Sequence, residues 1–238
     1  MGLAQPIDGL VNLLKWPVAI GCVALTPGAA LGVLDVGRTV AQDPSPYTLF
    51  GAGFAGYLVL WWLFFRRPLM GSLFSTVEHE LTHGLFALLT LHRIEGLRAT
   101  WRSGGEIAYS GGPGNWLITI APYWFPTLCI PLVMVLSLGP TAHLGAISVA
   151  MGVALSYQLT STYIETHRGQ TDLQKVGFLF AWMVLPFLNL AALSFVTLTA
   201  GVGSEAAFAW FSELSSWSSQ AYSGLTELAG TASESLSD

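Results

Sequence analysis

Apolar residues in this chain come in runs long enough to cross a bilayer, broken by short polar interruptions. A helix needs about 20 apolar residues to span the hydrocarbon. Six stretches approach or exceed that length, at roughly 14–34, 47–65, 70–91, 115–138, 143–165 and 174–200. The first follows Lys15, shows no signal-peptide cleavage site, and is weakened by Pro27 and Gly28. The second ends in Trp61-Trp62-Leu63-Phe64-Phe65 before Arg66-Arg67-Pro68, an aromatic belt followed by a charged stop. The fourth holds Pro122, Pro126 and Pro131, which predicts a kinked or re-entrant segment with freed carbonyls turned toward protein or a cavity.

The sizeable polar insert is 93–114. Leu97, Ala99 and Trp101 alternate with Arg98, Thr100 and Arg102; Ser103-Gly104-Gly105 offers a turn, and alternation resumes at Ile107 and Tyr109. This pattern predicts a short β-hairpin, with a glycine-rich irregular loop as the alternative. From about 204 the period changes: Phe208, Phe211, Leu214 and Trp217 recur every three residues, and Ala221, Leu225 and Leu228 extend the stripe. An amphipathic helix follows from that spacing, with residues 230–238 expected to be disordered. The expected fold is an all-α polytopic membrane protein of about six transmembrane helices with a membrane-associated β-hairpin insert. Its parts are N-terminal spans at 1–69, a membrane core at 70–200 and a helical tail at 201–238.

Composition agrees. The chain is 53% hydrophobic and 10% charged, with a mean hydropathy of +0.58, whereas soluble domains carry about 25% charged residues. Its net charge of −5 and scattered cations exclude a nucleic-acid surface and leave the lipid bilayer as the expected partner. Cys22 and Cys129 both fall in apolar runs, as buried thiols do.

Chemistry concentrates in the third run, which reads His79-Glu80-Leu81-Thr82-His83. Two histidines one helical turn apart leave the same face and can share a Zn²⁺, with Glu80 placed as a general base. Ser72, Ser75 and Thr76 continue that face as a polar stripe. Imidazoles and carboxylates are costly in lipid, so an intramembrane cluster of them marks a function. A catalytic zinc wants a third protein ligand. Leu89 stands where a third histidine of an extended motif would be, and His92, nine residues after His83, should face away. The best remaining cluster is 165–173, containing Glu165, His167 and Asp172; Asp172 would also serve as a plain helix cap. Glu106 and His143 are weaker candidates. Asn115 either caps the fourth helix or donates to a substrate carbonyl, and Asn189, near Pro186, is expected to hold a freed carbonyl.

His79-Glu80-Leu81-Thr82-His83-Gly84, the Gly104-Gly105 insert, Ala121-Pro122-Tyr123-Trp124-Phe125-Pro126 and Gln170-Thr171-Asp172-Leu173 together resemble the site-2 protease-like intramembrane zinc metallopeptidases, over roughly residues 70–185. A divergent bacterial branch is the nearest likeness, which implies the bacterial inner membrane. The resemblance implies His79, His83 and Asp172 as zinc ligands and Glu80 as general base. It also implies that the insert (Leu97, Ala99, Trp101, Ile107, Tyr109), with Asn115 beside it, receives an unwound membrane-protein substrate as an added strand. On this reading Asp172→Ala should lower zinc occupancy, whereas Glu165→Ala and His167→Ala should not. Better-known members place the aspartate two helices after the histidines rather than three. Either the proline-rich fourth segment is re-entrant or the core is rewired. Two other readings remain at this point: a zinc hydrolase of a non-peptide substrate, and a non-catalytic scaffold or transporter.

Overall fold

A computed structural model describes residues 2–65, 72–100, 104–138 and 144–235. Trp101, Arg102, Ser103, Arg66, Arg67 and His143, and the side chain of Ser72, fall outside the described residues. Ten helices and one hairpin follow along the described residues. The chain opens with α1 (Ala4–Leu13), α2 (Lys15–Gln42) and α3 (Thr48–Leu60), the last running on through a π-helical turn at Trp61–Phe65. The site-bearing α4 (Ser72–Leu89) leads into β1 (Arg93–Thr100) and β2 (Gly104–Ser110). Then come α5 (Trp116–Ile120), α6 (Cys129–Leu138), α7 (Leu144–Glu165), α8 (Thr171–Val176), α9 (Phe178–Val202) and α10 (Ser204–Ser235).

Among the described residues, four segments are long and apolar enough to cross a membrane: Lys15–Gln42, Ser45–Phe65, Leu144–Glu165 and Phe178–Val202. The expected six are not found. α4 is 18 residues long and carries Glu78, His79, Glu80 and His83, too polar to count as a simple lipid-facing span. The 115–138 segment is broken rather than continuous. α5 gives way to a 3₁₀ turn at Ala121–Tyr123, and helix resumes only at Cys129. Side-chain amides meet the carbonyls freed there: Gln158 Nε2 donates to Pro122 O at 3.2 Å, and Asn189 Nδ2 to Tyr123 O at 3.0 Å. Irregular backbone at membrane depth is tolerable under that condition. Asn189 also donates to Leu185 O at 2.9 Å, in the turn that Pro186 disturbs.

Pro27 and Gly28 do not end the first long helix. α2 runs through both, and Thr26 Oγ1 turns back to Cys22 O at 2.7 Å beside the proline. The glycines here make a docking face: a Cβ on Gly28 would strike Ser218, and one on Gly32 would strike the indoles of Trp210 and Trp217. α10 lies on that face, its Ala207, Trp210 and Leu214 packed with Ala29, Val36, Ala191 and Leu198. The periodic tail therefore packs on the bundle, and it stays helical to Ser235, past the expected onset of disorder at 230.

α1 was not legible in the apolar pattern, yet it anchors the loop before α5. Its fully buried Asp8 accepts from Gly114 N–H at 2.9 Å and Asn115 Nδ2 at 2.6 Å, and it pairs with His92 Nε2 at 3.1 Å. His92 thus faces away from the His79–His83 pair, as its spacing implies. Outward on the spanning helices, Val59, Leu179 and Trp182 remain more than half exposed, as a lipid-facing surface requires.

The hairpin is antiparallel, pairing Leu97 with Ile107 and Ala99 with Gly105, with a bulge between Ile94 and Gly96. It lies along α4, where Gly84 leaves room for the Ile107 and Ile94 methyls.

Candidate metal centre

α4 presents His79 and His83 one turn apart, with ring centroids 4.8 Å from each other. α8 brings Asp172 to them from 89 residues away. Asp172 Oδ2 lies 3.4 Å from His79 Nε2 and 3.2 Å from His83 Nε2. Ligand atoms of the three side chains all fall within 4.8 Å of one another. Tetrahedral geometry at metal–ligand distances near 2.1 Å puts neighbouring ligand atoms about 3.4 Å apart. The spacing here therefore fits three ligands around one ion, with a fourth position open.

The other nitrogen of each ring is already committed. His79 Nδ1 meets Glu165 Oε2 at 2.8 Å, and His83 Nδ1 meets Ile118 O at 2.7 Å. A carbonyl can only accept, so His83 carries its proton on Nδ1 and offers the Nε2 lone pair inward. A carboxylate imposes the same tautomer on His79. α5 is only five residues long, so its late carbonyls lack helical partners, and Ile118 O is free for this use. Glu165 is thus an orienting partner of a ligand, not a ligand. Ile118 acts through its backbone, which no side-chain pattern could announce.

Asp172 sits in the first turn of α8 and accepts no cap bond for the helix; its carboxylate is turned to the histidines instead. Lys175 approaches Oδ1 at 3.7 Å, from a largely exposed position.

Glu80 is buried at 8% exposure and faces the hairpin. The Ile107 main chain lies beside its carboxylate. A Cβ at Gly105 would lie 2.5 Å from Glu80 Cγ and 2.7 Å from Thr76 Cγ2, so glycine there lets the β2 edge reach the acid. A cleft of about 770 Å³ opens along that edge. Glu80, His83 and Asp172 lie on its floor with Ile107, Tyr109 and Asn115 beside them, while Lys15 and Thr119 contribute opposite.

The other expected substrate residues divide. Leu97 and Ala99 belong to β1, the strand away from the cleft, and do not line it. Tyr109 lines the cleft but stacks edge-on to His92 at 5.0 Å, so its ring is structural. Asn115 is the α5 cap, accepting from Ile118 N–H at 3.2 Å while its amide donates to Asp8. These bonds use its oxygen and one of its two amide hydrogens. Glu106 is an exposed hairpin residue, and His167 is an exposed loop residue whose Nδ1 accepts Gly169 N–H at 3.0 Å. Neither joins the cluster.

Three ligand atoms with pre-set tautomers beside a carboxylate and a strand edge are what a metallopeptidase needs. The Peptidase M50B-like family matches residues 50–223, well over half of the chain. The chain belongs to that family. Its match begins in α3 and ends in α10, so it is wider than the 70–185 stretch that carries the motifs. Membership supports the site-2 protease-like likeness and points to a metalloprotease held in the membrane. Neither a curated protein nor a solved structure matches the chain.

Proposed function

We propose that this M50B-like protein is an intramembrane zinc endopeptidase that cleaves membrane-protein substrates, with Glu80 as general base. The carrying observation is the meeting of His79 Nε2, His83 Nε2 and Asp172 Oδ2 at one point, beside Glu80 and the edge of β2. Two imidazoles and one carboxylate suit zinc and leave the open position that catalytic sites keep. Bound there, Zn²⁺ would supply Lewis acidity to the scissile carbonyl and lower the pKa of a coordinated water to about 7.

The chain's own residues do the rest. A transmembrane helix hides its carbonyls in hydrogen bonds, so a substrate must unwind before attack. The outer edge of β2 offers main-chain partners to the unwound stretch, along a cleft that includes Gly105, Ile107 and Tyr109. Strand addition there lays the scissile bond across Glu80. Glu80 takes a proton from the attacking water as the new C–O bond forms. It returns that proton to the departing nitrogen as the C–N bond breaks. Glycine at 105 lets that edge approach the Glu80 carboxylate before any substrate arrives.

Glu80→Gln tests the proposal because it keeps the ligands and removes the base. The purified variant should hold as much zinc as wild type, turn over no substrate, and accumulate an uncut single-pass protein in cells. Wild-type turnover by Glu80→Gln would overturn the catalytic reading. Loss of a lipid product with no change in any protein substrate would favour a non-peptide hydrolase.

A further inference from the structure

We propose that Tyr123 is a positioning residue for the third ligand, its phenol hydroxyl serving to orient the Asp172 carboxylate. This inference rests on the metal site proposed above. Each imidazole of that site has an outer partner, Glu165 for His79 and the Ile118 carbonyl for His83. Among the described residues, the outer contact of Asp172 is Lys175 at 3.7 Å, from a side chain 72% exposed. Ligating carboxylates need such an outer hydrogen bond as much as histidines do.

Tyr123 supplies the complementary deficit. It is completely buried, yet its hydroxyl has no hydrogen-bond partner. Tyr47 and Tyr157 also bury hydroxyls without a partner, but the Tyr123 hydroxyl is the one set against the third ligand. The hydroxyl stands beside the Asp172 carboxylate, close enough to interact though without hydrogen-bond geometry to it. Its ring meets His79 edge-on, centroids 5.4 Å apart at 90°.

The position is also built from behind. Gln158 from α7 and Asn189 from α9 donate to the consecutive carbonyls of Pro122 and Tyr123. Two spanning helices therefore each give a side-chain amide to hold one 3₁₀ turn, and the side chain so held stands beside the third ligand. A cation drawing charge to Oδ2 leaves the carboxylate accepting from the phenol, which completes its orientation.

Tyr123→Phe removes the hydroxyl and keeps the ring. Zinc affinity of the full chain in detergent micelles, measured by competition against a fluorescent chelator, should fall about 10- to 100-fold. Thermal unfolding of the metal-free variant should match or exceed wild type, because the hydroxyl makes no bond there. At saturating zinc, cleavage should return. Wild-type affinity in Tyr123→Phe, beside loss of zinc in His79→Ala, overturns the inference and leaves the metal site intact. A metal-free unfolding temperature that drops along with affinity assigns Tyr123 to packing, and activity lost at full occupancy assigns it to the reaction itself; either overturns the positioning role. Wild-type protein that binds no zinc overturns the metal reading first.

Discussion

Gly105→Ala is a one-methyl test of how the hairpin serves the acid. The added Cβ would stand 2.5 Å from Glu80 Cγ, 2.7 Å from Thr76 Cγ2 and 2.9 Å from Glu80 Oε1. Carbon–carbon contacts are comfortable from about 3.5 Å, so β2 must retreat from α4 by about 1 Å or Glu80 must turn aside. Overpacking of this kind costs about 1–3 kcal/mol, which the fold should survive. Catalysis should not, because a 1 Å misplacement of reacting groups costs about 100-fold. Cleavage of a single-pass reporter in proteoliposomes, one that Glu80→Gln leaves intact, should fall by about two orders of magnitude in Gly105→Ala. Zinc content should stay at the wild-type level, since neither methyl contact is a ligand. Gly104→Ala is no substitute control, because Gly104 has φ +76° and would be strained for another reason. Wild-type turnover by Gly105→Ala would refute the idea that the strand edge and Glu80 work as one unit.

Four further outcomes follow from the geometry. Glu165→Ala should weaken zinc binding about 10-fold by freeing the His79 ring, contrary to the expectation from sequence, and chelator competition measures it. Asp172→Ala should abolish stoichiometric zinc, whereas His167→Ala should leave it unchanged, as elemental analysis of the two purified variants will show. Asp8→Ala strands three groups now bound to one buried carboxylate, and it should cost about 3–5 kcal/mol in thermal or denaturant unfolding. Gln158→Leu leaves the Pro122 carbonyl unpaired; a loss of about 1–3 kcal/mol in the same assay is expected.

The sequence made the centre legible where the signal was local and the rest obscure where it was not. His79 and His83 sit on one face because four residues make one helical turn, and alternation at 97–109 foretold the strands. Asp172 could be nominated, yet its separation from Glu165 in role needed coordinates, because both carboxylates occupy the same polar cluster. Prolines at 122, 126 and 131 announced a broken segment. The break falls at Ala121–Tyr123, where helix gives way to a 3₁₀ turn and resumes only at Cys129. Pro27-Gly28 misled: the same residue pair that ends many helices here forms a seat for α10, and that partner lies nearly 190 residues downstream, at Ser218. α1 left no trace because its Asp8 is satisfied by His92, Gly114 and Asn115, all more than 80 residues away. Tyr123 read as one aromatic among many in an apolar run, and only its place against His79 and Asp172 distinguishes it.

Zinc-edge X-ray absorption of the purified full-length protein tests the central claim most directly. The account predicts one zinc per chain in a first shell of nitrogen and oxygen at about 2.0–2.2 Å, with imidazole scattering from two rings and one oxygen ligand lost in Asp172→Ala. A protein without stoichiometric zinc, or a shell containing sulfur from Cys22 or Cys129, would contradict it.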